Sequence, residues 1–195
     1  EGLQKTGWLE YTAVIFGIVS VFFSRKENIL VYPTGLISTT IFTYLCFVWE
    51  LYAEASLNFY YTAMSIYGWI LWSSKSGQGS NGPLAISRST HKEWQLAILF
   101  FCASWGVLYL VLKTFTDSTV PVADSFASAA AYTGMWLMAK KKLENWVWWI
   151  LTNIASIPLY FYKQAVFTSF QYVVLLLLAI SGYIAWNRKL KKTAN

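Results

Sequence analysis

Seven long stretches of this chain are almost free of charged residues, and no other feature constrains its fold as strongly. A helix needs about 20 mostly apolar residues to cross roughly 30 Å of hydrocarbon. The predicted spans cover residues 8–23, 29–49, 57–74, 94–112, 124–139, 146–162 and 165–186. Only 12% of the residues are charged and the mean hydropathy is +0.44, which excludes an ordinary soluble domain. The sequence therefore predicts an all-α integral membrane protein with seven transmembrane helices.

The basic residues between the spans predict its orientation. Seven spans place alternate loops on opposite sides of the membrane, and Lys and Arg are enriched in cytoplasmic loops. One side holds Arg25, Lys26, Lys75, Arg88, Lys92, Lys140, Lys141, Lys142, Arg188, Lys189, Lys191 and Lys192. The other side holds only Lys5, Lys113 and Lys163. This asymmetry predicts an N-terminus outside and a cytoplasmic C-terminus.

Composition also argues against several classes of function. The single histidine, His91, lies in a polar loop, and both cysteines lie in apolar runs. We therefore expect no catalytic cluster, no metal site and no cofactor, and we do not expect an enzyme. The net charge of +6 comes from short clusters between spans, so we read it as a topology signal and expect no nucleic-acid partner. We see no pattern of a cleavable signal peptide at the start of the sequence.

Two parts of the chain resemble each other. The segment "SIYGWILW" at 65–72 matches "AISGYIAW" at 179–186, so that Gly68 pairs with Gly182. Upstream, "SRKENILVYPTGLIST" matches "KKKLENWVWWILTNIAS", which pairs Glu27 with Glu144. These matches predict a 3+1+3 arrangement of two parallel three-helix repeats, as in transporters of the SWEET type. The parts are a first repeat at 1–74, a flexible cytoplasmic linker at 75–93, a connecting span at 94–118 and a second repeat with a basic tail at 119–195.

The sixth span carries a polar and aromatic stripe. At about 100° per residue, one face within roughly 80° collects Trp146, Trp149, Asn153, Ser156 and Tyr160. Trp148 points away from this stripe, and we expect it to meet the lipid interface, where tryptophan is enriched. Asn153 lies near the middle of the membrane, where an unpaired amide is costly. It must face protein, water or a ligand, and an interhelical hydrogen bond is one explanation for it.

The chemistry of the stripe favours a flat ligand. Two indole faces one turn apart can hold a planar, preferably cationic ring, and an amide one turn deeper can pair with a carboxamide or a sugar hydroxyl. No Lys or Arg lies well inside any span, so nothing is placed to neutralise a phosphate. The substrate predicted from these residues is neutral or cationic and is not a nucleotide.

The second span offers further candidates. Aligning the glycines of the two repeats pairs Tyr32 with Trp146, Gly35 with Trp149 and Thr39 with Asn153. Tyr32 and Thr39 therefore join the candidate substrate-binding residues, although ordinary helix packing explains them equally well. Trp72 and Trp186 end spans at the cytoplasmic side, and we expect them to form part of an aromatic belt at the membrane surface.

The motif W-x-x-W-x-x-x-N at residues 146–153, followed by "SIPLYFYKQ" and "SGYIAWNRKLKK", resembles the PnuC family of nicotinamide riboside transporters. The resemblance covers almost the entire chain, including "YPTGLIST" and "SIYGWILW". It implies a bacterial inner-membrane protein with a SWEET-like fold, often a homotrimer. It implies facilitated diffusion of nicotinamide riboside by alternating access, with a separate cytoplasmic kinase trapping the product. It also implies that Trp146, Trp149 and Asn153 contact the substrate.

Two alternatives remain open at this point. Related family members carry thiamine or riboflavin, so the fold does not fix the vitamin. A vitamin-binding subunit that depends on an ATP-driven partner is the other possibility, but two repeats that move against each other would already provide alternating access.

Overall fold

Seven α-helices make up most of the chain in a computed structural model that describes residues 2–48, 52–74, 84–116, 118–164 and 166–193. The helices are α1 (Gly2–Arg25), α2 (Val31–Val48), α3 (Tyr52–Ser73), α4 (His91–Phe115), α5 (Pro121–Ala139), α6 (Asn145–Tyr162) and α7 (Val166–Thr193). Within the described residues the only β-structure is an isolated bridge between Ser87 and Lys142. The prediction of an all-α chain with seven helices is confirmed.

Four of the described helices are long and apolar enough to cross a membrane by length and composition alone. These segments are Gly7–Arg25, Val31–Val48, His91–Phe115 and Thr168–Lys192. α6 is one of the helices outside this set, and it carries the polar residues Asn153 and Ser156 of the stripe noted in the sequence. A helix that carries polar groups into a membrane must bury them against protein or water.

Local signals set the helix starts. α4 begins at His91, three residues earlier than predicted, because Thr90 and Glu93 form a capping box in which each side chain accepts a hydrogen bond from the backbone N–H of the other. α5 begins at Pro121 rather than at residue 124, and proline suits a first helical position because it has no N–H to leave unpaired.

The chain divides into two compact units, residues 1–84 and 85–195. In the first unit α2 packs against both α1 and α3. In the second unit α6 packs against both α5 and α7, and α4 packs along α5. The middle helix of each group of three therefore makes contacts on both sides.

The turn before the middle helix has the same conformation in both units. Glu27 and Lys141 have positive φ angles of 58° and 50°. The N–H groups of Glu27 and Lys141 each donate to the carbonyl three residues earlier, at 2.9 Å in both turns. The N–H group of the residue that follows each of them donates to the carbonyl five residues earlier, at 2.9 Å in the first turn and 3.0 Å in the second. Lys141 follows Glu27 by 114 residues (141 minus 27), and Gly182 follows Gly68 by the same spacing. The sequence match of Glu27 with Glu144 is therefore wrong by three residues.

The segment before α4 is held in place by the turn between α5 and α6. The Ser87 N–H donates to the Lys141 carbonyl at 3.1 Å, and the Leu143 N–H donates to the Ser87 carbonyl at 2.9 Å. The Glu144 carboxylate accepts hydrogen bonds from the Ser89 N–H and hydroxyl at 2.8 and 2.7 Å. The flexible stretch suggested by the sequence thus has a fixed final part, whereas residues 75–83 lie outside the described residues.

Candidate functional site

The predicted stripe lies on α6, inside the second unit. Trp146, Asn153 and Ser156 are almost fully buried, at 1%, 3% and 2% exposure, while Trp149 and Tyr160 are half-buried. Side chains of this size and polarity are buried in a membrane helix only when neighbouring helices cover them or a ligand does.

Trp146 packs into the interface between α6 and α7. A Cβ placed on Gly182 would lie 2.5 Å from its ring, so only glycine permits this contact. Its ring meets that of Trp186 edge to face, with 5.6 Å between centroids and 89° between planes. The Trp146 indole N–H is buried and has no hydrogen-bond partner in the described part of the chain. In this conformation α7 covers Trp146.

Tyr32 makes the same contact in the first unit. The Tyr32 ring lies against Gly68, where an added Cβ would be 2.5 Å from the ring. It meets the ring of Trp72 edge to face, with 5.1 Å between centroids and 88° between planes. Trp72 is 5% exposed and Trp186 is 0% exposed. The belt role predicted for both tryptophans is therefore wrong, because each is the buried ring partner of the first aromatic residue of a middle helix.

Trp148 and Trp149 have different surroundings. Trp148 is buried against α4, with its ring 5.0 Å from that of Phe101 and 6.4 Å from that of Trp94. The prediction that Trp148 meets lipid is wrong, since a neighbouring helix covers the face of α6 opposite the stripe. Trp149 lies over Gly134 of α5, where an added Cβ would be 3.3 Å from the indole ring.

Asn153 and Thr39 hold matching positions in the two units but differ in bonding. Asn153 is 3% exposed, and its amide forms no hydrogen bond within the described residues. Thr39, which is half-buried, accepts a hydrogen bond from the Thr62 hydroxyl of α3 at 2.8 Å. The Thr39 hydroxyl thus has a packing role within its unit, whereas the Asn153 amide retains both its donors and its acceptor.

Tyr172 of α7 contacts this stripe and was not predicted from the sequence. Its ring stacks on Tyr160 with 5.1 Å between centroids and 16° between planes. Its hydroxyl interacts with the side chains of Ser156 and Tyr160. Nearby, the Ser169 hydroxyl donates to the Ile157 carbonyl at 2.8 Å, which attaches the start of α7 to α6. A tyrosine in the otherwise apolar run "YVVLLLL" was the only sequence signal.

Seven helices, of which four are long and apolar enough to cross a membrane, indicate a multi-pass α-helical membrane protein. Comparison with known families gives the particular group. The model of the family described as "Nicotinamide mononucleotide transporter" matches residues 7–188, and the chain belongs to this family. The resemblance noted in the sequence is confirmed.

Individual relatives agree with this assignment. The nicotinamide riboside transporter PnuC of Escherichia coli (strain K12) is 25% identical over 95% of this chain and 87% of its own length. The PnuC of Neisseria mucosa is 27% identical over 95% of this chain and 74% of its own length. The riboflavin/roseoflavin transporter RibM of Streptomyces davaonensis is 21% identical over 94% of this chain and 86% of its own length.

A solved structure shows the same fold. The crystal structure of the vitamin B3 transporter PnuC matches with a TM-score of 0.75 and 27% sequence identity. The match covers 95% of this chain and 83% of that chain. The seven helices of this chain therefore adopt the fold of a transporter.

Proposed function

We propose that this protein takes up nicotinamide riboside across the bacterial inner membrane. The observation that carries the proposal is the buried Asn153 amide, which lacks a partner among the described residues and lies on the same helix face as Trp149 and Ser156. An unpaired amide at this depth costs free energy that a polar ligand would recover. PnuC relatives at 25–27% identity over most of the chain support this choice of ligand.

Each part of nicotinamide riboside has a counterpart on the stripe. The Trp149 indole suits the cationic pyridinium ring. The Asn153 amide can donate to and accept from the carboxamide, and the hydroxyls of Ser156 and Tyr160 suit the ribose. Trp146 completes the substrate site in this proposal, from a position under α7 in the present conformation. The other two residues predicted from the sequence, Tyr32 and Thr39, belong to the first unit and have packing contacts within it.

The substrate that we propose carries no phosphate, although the family description names the mononucleotide. No Lys or Arg lies between Trp146 and Tyr162, so the helix offers no cation to pair with a phosphate. A positively charged riboside needs no such partner. The aromatic face therefore favours the riboside over its phosphorylated form.

The transport mechanism that we propose is facilitated diffusion by alternating access, with the product trapped by a separate cytoplasmic kinase. Matching turns at Glu27 and Lys141 and matching ring contacts at Gly68 and Gly182 support two parallel repeats in a 3+1+3 arrangement. The asymmetry of basic residues supports an external N-terminus and a cytoplasmic C-terminus. We further propose a homotrimer, as the family resemblance implies.

Riboflavin is the second candidate substrate. The observation that favours it is the RibM relative, which covers 94% of this chain at 21% identity. Riboflavin is also flat and carries hydroxyls, but its ring is neutral, so it would gain less from an indole face than a cation does.

Uptake into liposomes tests the proposal. Purified protein is reconstituted without ATP or any partner, and labelled nicotinamide riboside, its mononucleotide and riboflavin are compared at equal concentration. We expect the riboside to equilibrate across the membrane and the other two to remain near the level of empty liposomes. Preferred uptake of the mononucleotide would contradict the charge argument, and preferred uptake of riboflavin would establish the second candidate.

A further inference from the structure

A salt bridge lies at the end of the polar stripe. Lys163 caps the C-terminus of α6, and its Nζ atom is 2.6 and 2.8 Å from the two carboxylate oxygens of Asp124, in the first turn of α5. Asp124 also accepts a hydrogen bond from the Ser118 hydroxyl at 2.6 Å. Both charged side chains remain partly accessible, at 30% for Lys163 and 15% for Asp124. The pair joins two helices and is also in contact with solvent.

The same lysine is close to a residue of the proposed site. The Lys163 Nζ atom is 5.8 Å from the centroid of the Tyr160 ring, which stacks on Tyr172. At a rise of about 1.5 Å per residue, Lys163 lies roughly 15 Å along the helix axis from Asn153. In the orientation that the basic residues predict, this is the outer end of α6, where an external substrate would first meet the stripe.

The effect of this pair on stability is expected to be small. Partly exposed ion pairs typically contribute about 0–1 kcal/mol. The effect on a charged substrate is larger in principle, because among the described residues Asp124 is the carboxylate that balances the charge of Lys163. Without the carboxylate, an ammonium group would stand beside Tyr160 and repel an approaching cation.

We propose that Asp124 is a specificity-determining residue that neutralises Lys163 and so admits a cationic substrate to the stripe. This inference rests on the proposed function, because it concerns the positive charge of the riboside. It predicts discrimination between substrates that share the carboxamide and the ribose but differ in charge. The reduced, dihydropyridine form of nicotinamide riboside is such a substrate, since it has lost the pyridinium charge.

The experiment compares uptake of the oxidised and reduced ribosides into liposomes at low ionic strength. The proteins are wild type, Asp124→Asn, Lys163→Gln and the double variant. We expect Asp124→Asn to lower uptake of the cationic riboside on the order of threefold, because it leaves one unbalanced unit charge at about 15 Å from Asn153. Uptake of the reduced riboside should not change. Lys163→Gln should not lower uptake of the cation. The double variant, which is again neutral, should return to the wild-type ratio, and high salt should restore Asp124→Asn.

The alternative is a purely structural salt bridge. In that case Asp124→Asn and Lys163→Gln would lower the uptake of both ribosides equally, and the double variant would be no better than either, which would overturn the inference. An unchanged ratio in Asp124→Asn would overturn it as well. A wild-type protein that takes up neither riboside would instead refute the proposed function, so the two failures are distinguishable.

Discussion

The Trp146 ring lies directly on Gly182, at a distance where a Cβ on that glycine would be 2.5 Å from the ring. Tyr32 and Gly68 form the same contact in the other unit. In each case the aromatic residue is the second residue of the middle helix of its group, and the glycine lies on the third helix. The close approach of these two helices therefore depends on the missing side chain in both units.

Replacing Gly182 by alanine should destabilise the second unit. The added methyl group cannot be accommodated at 2.5 Å from a ring that is itself buried, and overpacking of this kind typically costs about 1–3 kcal/mol. Thermal unfolding of the detergent-solubilised protein measures the loss. Gly106→Ala is the matched control, because Gly106 has nothing within 4 Å and alanine favours a helix. Equal melting temperatures for the two variants would contradict the contact.

Trp148 and Trp149 should respond differently to alanine. Trp148 fills a core with Phe101 and Trp94 of α4, so Trp148→Ala should cost about 3–5 kcal/mol of unfolding free energy. Trp149 is half-buried on the proposed ligand face, so Trp149→Ala should weaken nicotinamide riboside binding about tenfold or more at a smaller cost in stability. Calorimetric binding and thermal unfolding of both variants separate the two roles. The reverse pattern would place the ligand on the α4 side of the helix.

Asn153→Ala should abolish most of the affinity without destabilising the fold. The amide has no partner in the described residues, so its removal breaks no protein hydrogen bond, whereas two lost bonds to a carboxamide would weaken binding about 10- to 100-fold. Thr152→Val is the control on the same helix, since the Thr152 hydroxyl bonds to the Trp148 carbonyl of its own helix at 2.9 Å. That variant should bind the riboside as wild type does. An unstable Asn153→Ala protein would show that the amide has a structural role.

The sequence predicted the helices well because apolar length and basic clusters are local properties. It failed where the answer depends on which neighbour covers a helix face. Helical periodicity predicts that Trp148 meets lipid, because it separates the faces of a helix without saying what lies against them, but α4 covers that face. The prediction that Trp72 and Trp186 lie at the membrane surface fails for the same reason, since each is buried by a ring from the adjacent helix.

The sequence match between residues 65–72 and 179–186 pairs two glycines that have the same contact, whereas the match at the preceding turn is wrong by three residues. Gly68 and Gly182 each have a tight contact that only glycine allows, so their sequence identity has a physical cause. The turn requires one residue with a positive φ angle and two backbone hydrogen bonds around it. Glu27 and Lys141 are these residues in the two units. Backbone geometry of this kind leaves little trace in side-chain identity, so the sequence letters paired Glu27 with Glu144 instead.

Tyr172→Phe tests the contribution of α7 to the proposed site. The phenylalanine ring keeps the stack on Tyr160 but removes the hydroxyl that interacts with Ser156 and Tyr160. We expect nicotinamide riboside affinity to fall about fivefold, as for one hydrogen bond of about 1 kcal/mol, with thermal stability close to wild type. Tyr183→Phe, a half-buried tyrosine of the same helix, is the control.

A ligand with fewer hydroxyls distinguishes a role in the site from a general loosening of α7. If Tyr172 orients the hydroxyls of Ser156 and Tyr160 towards the ribose, a deoxyribose analogue of nicotinamide riboside has already lost part of that interaction. The ratio of affinities for the two ligands should then be smaller in Tyr172→Phe than in wild type. The change in this ratio, expressed as a free energy, is the coupling energy between the Tyr172 hydroxyl and the ribose hydroxyl. Equal losses for both ligands, with Tyr183→Phe unchanged, would mean that Tyr172 supports the helix and not the ribose.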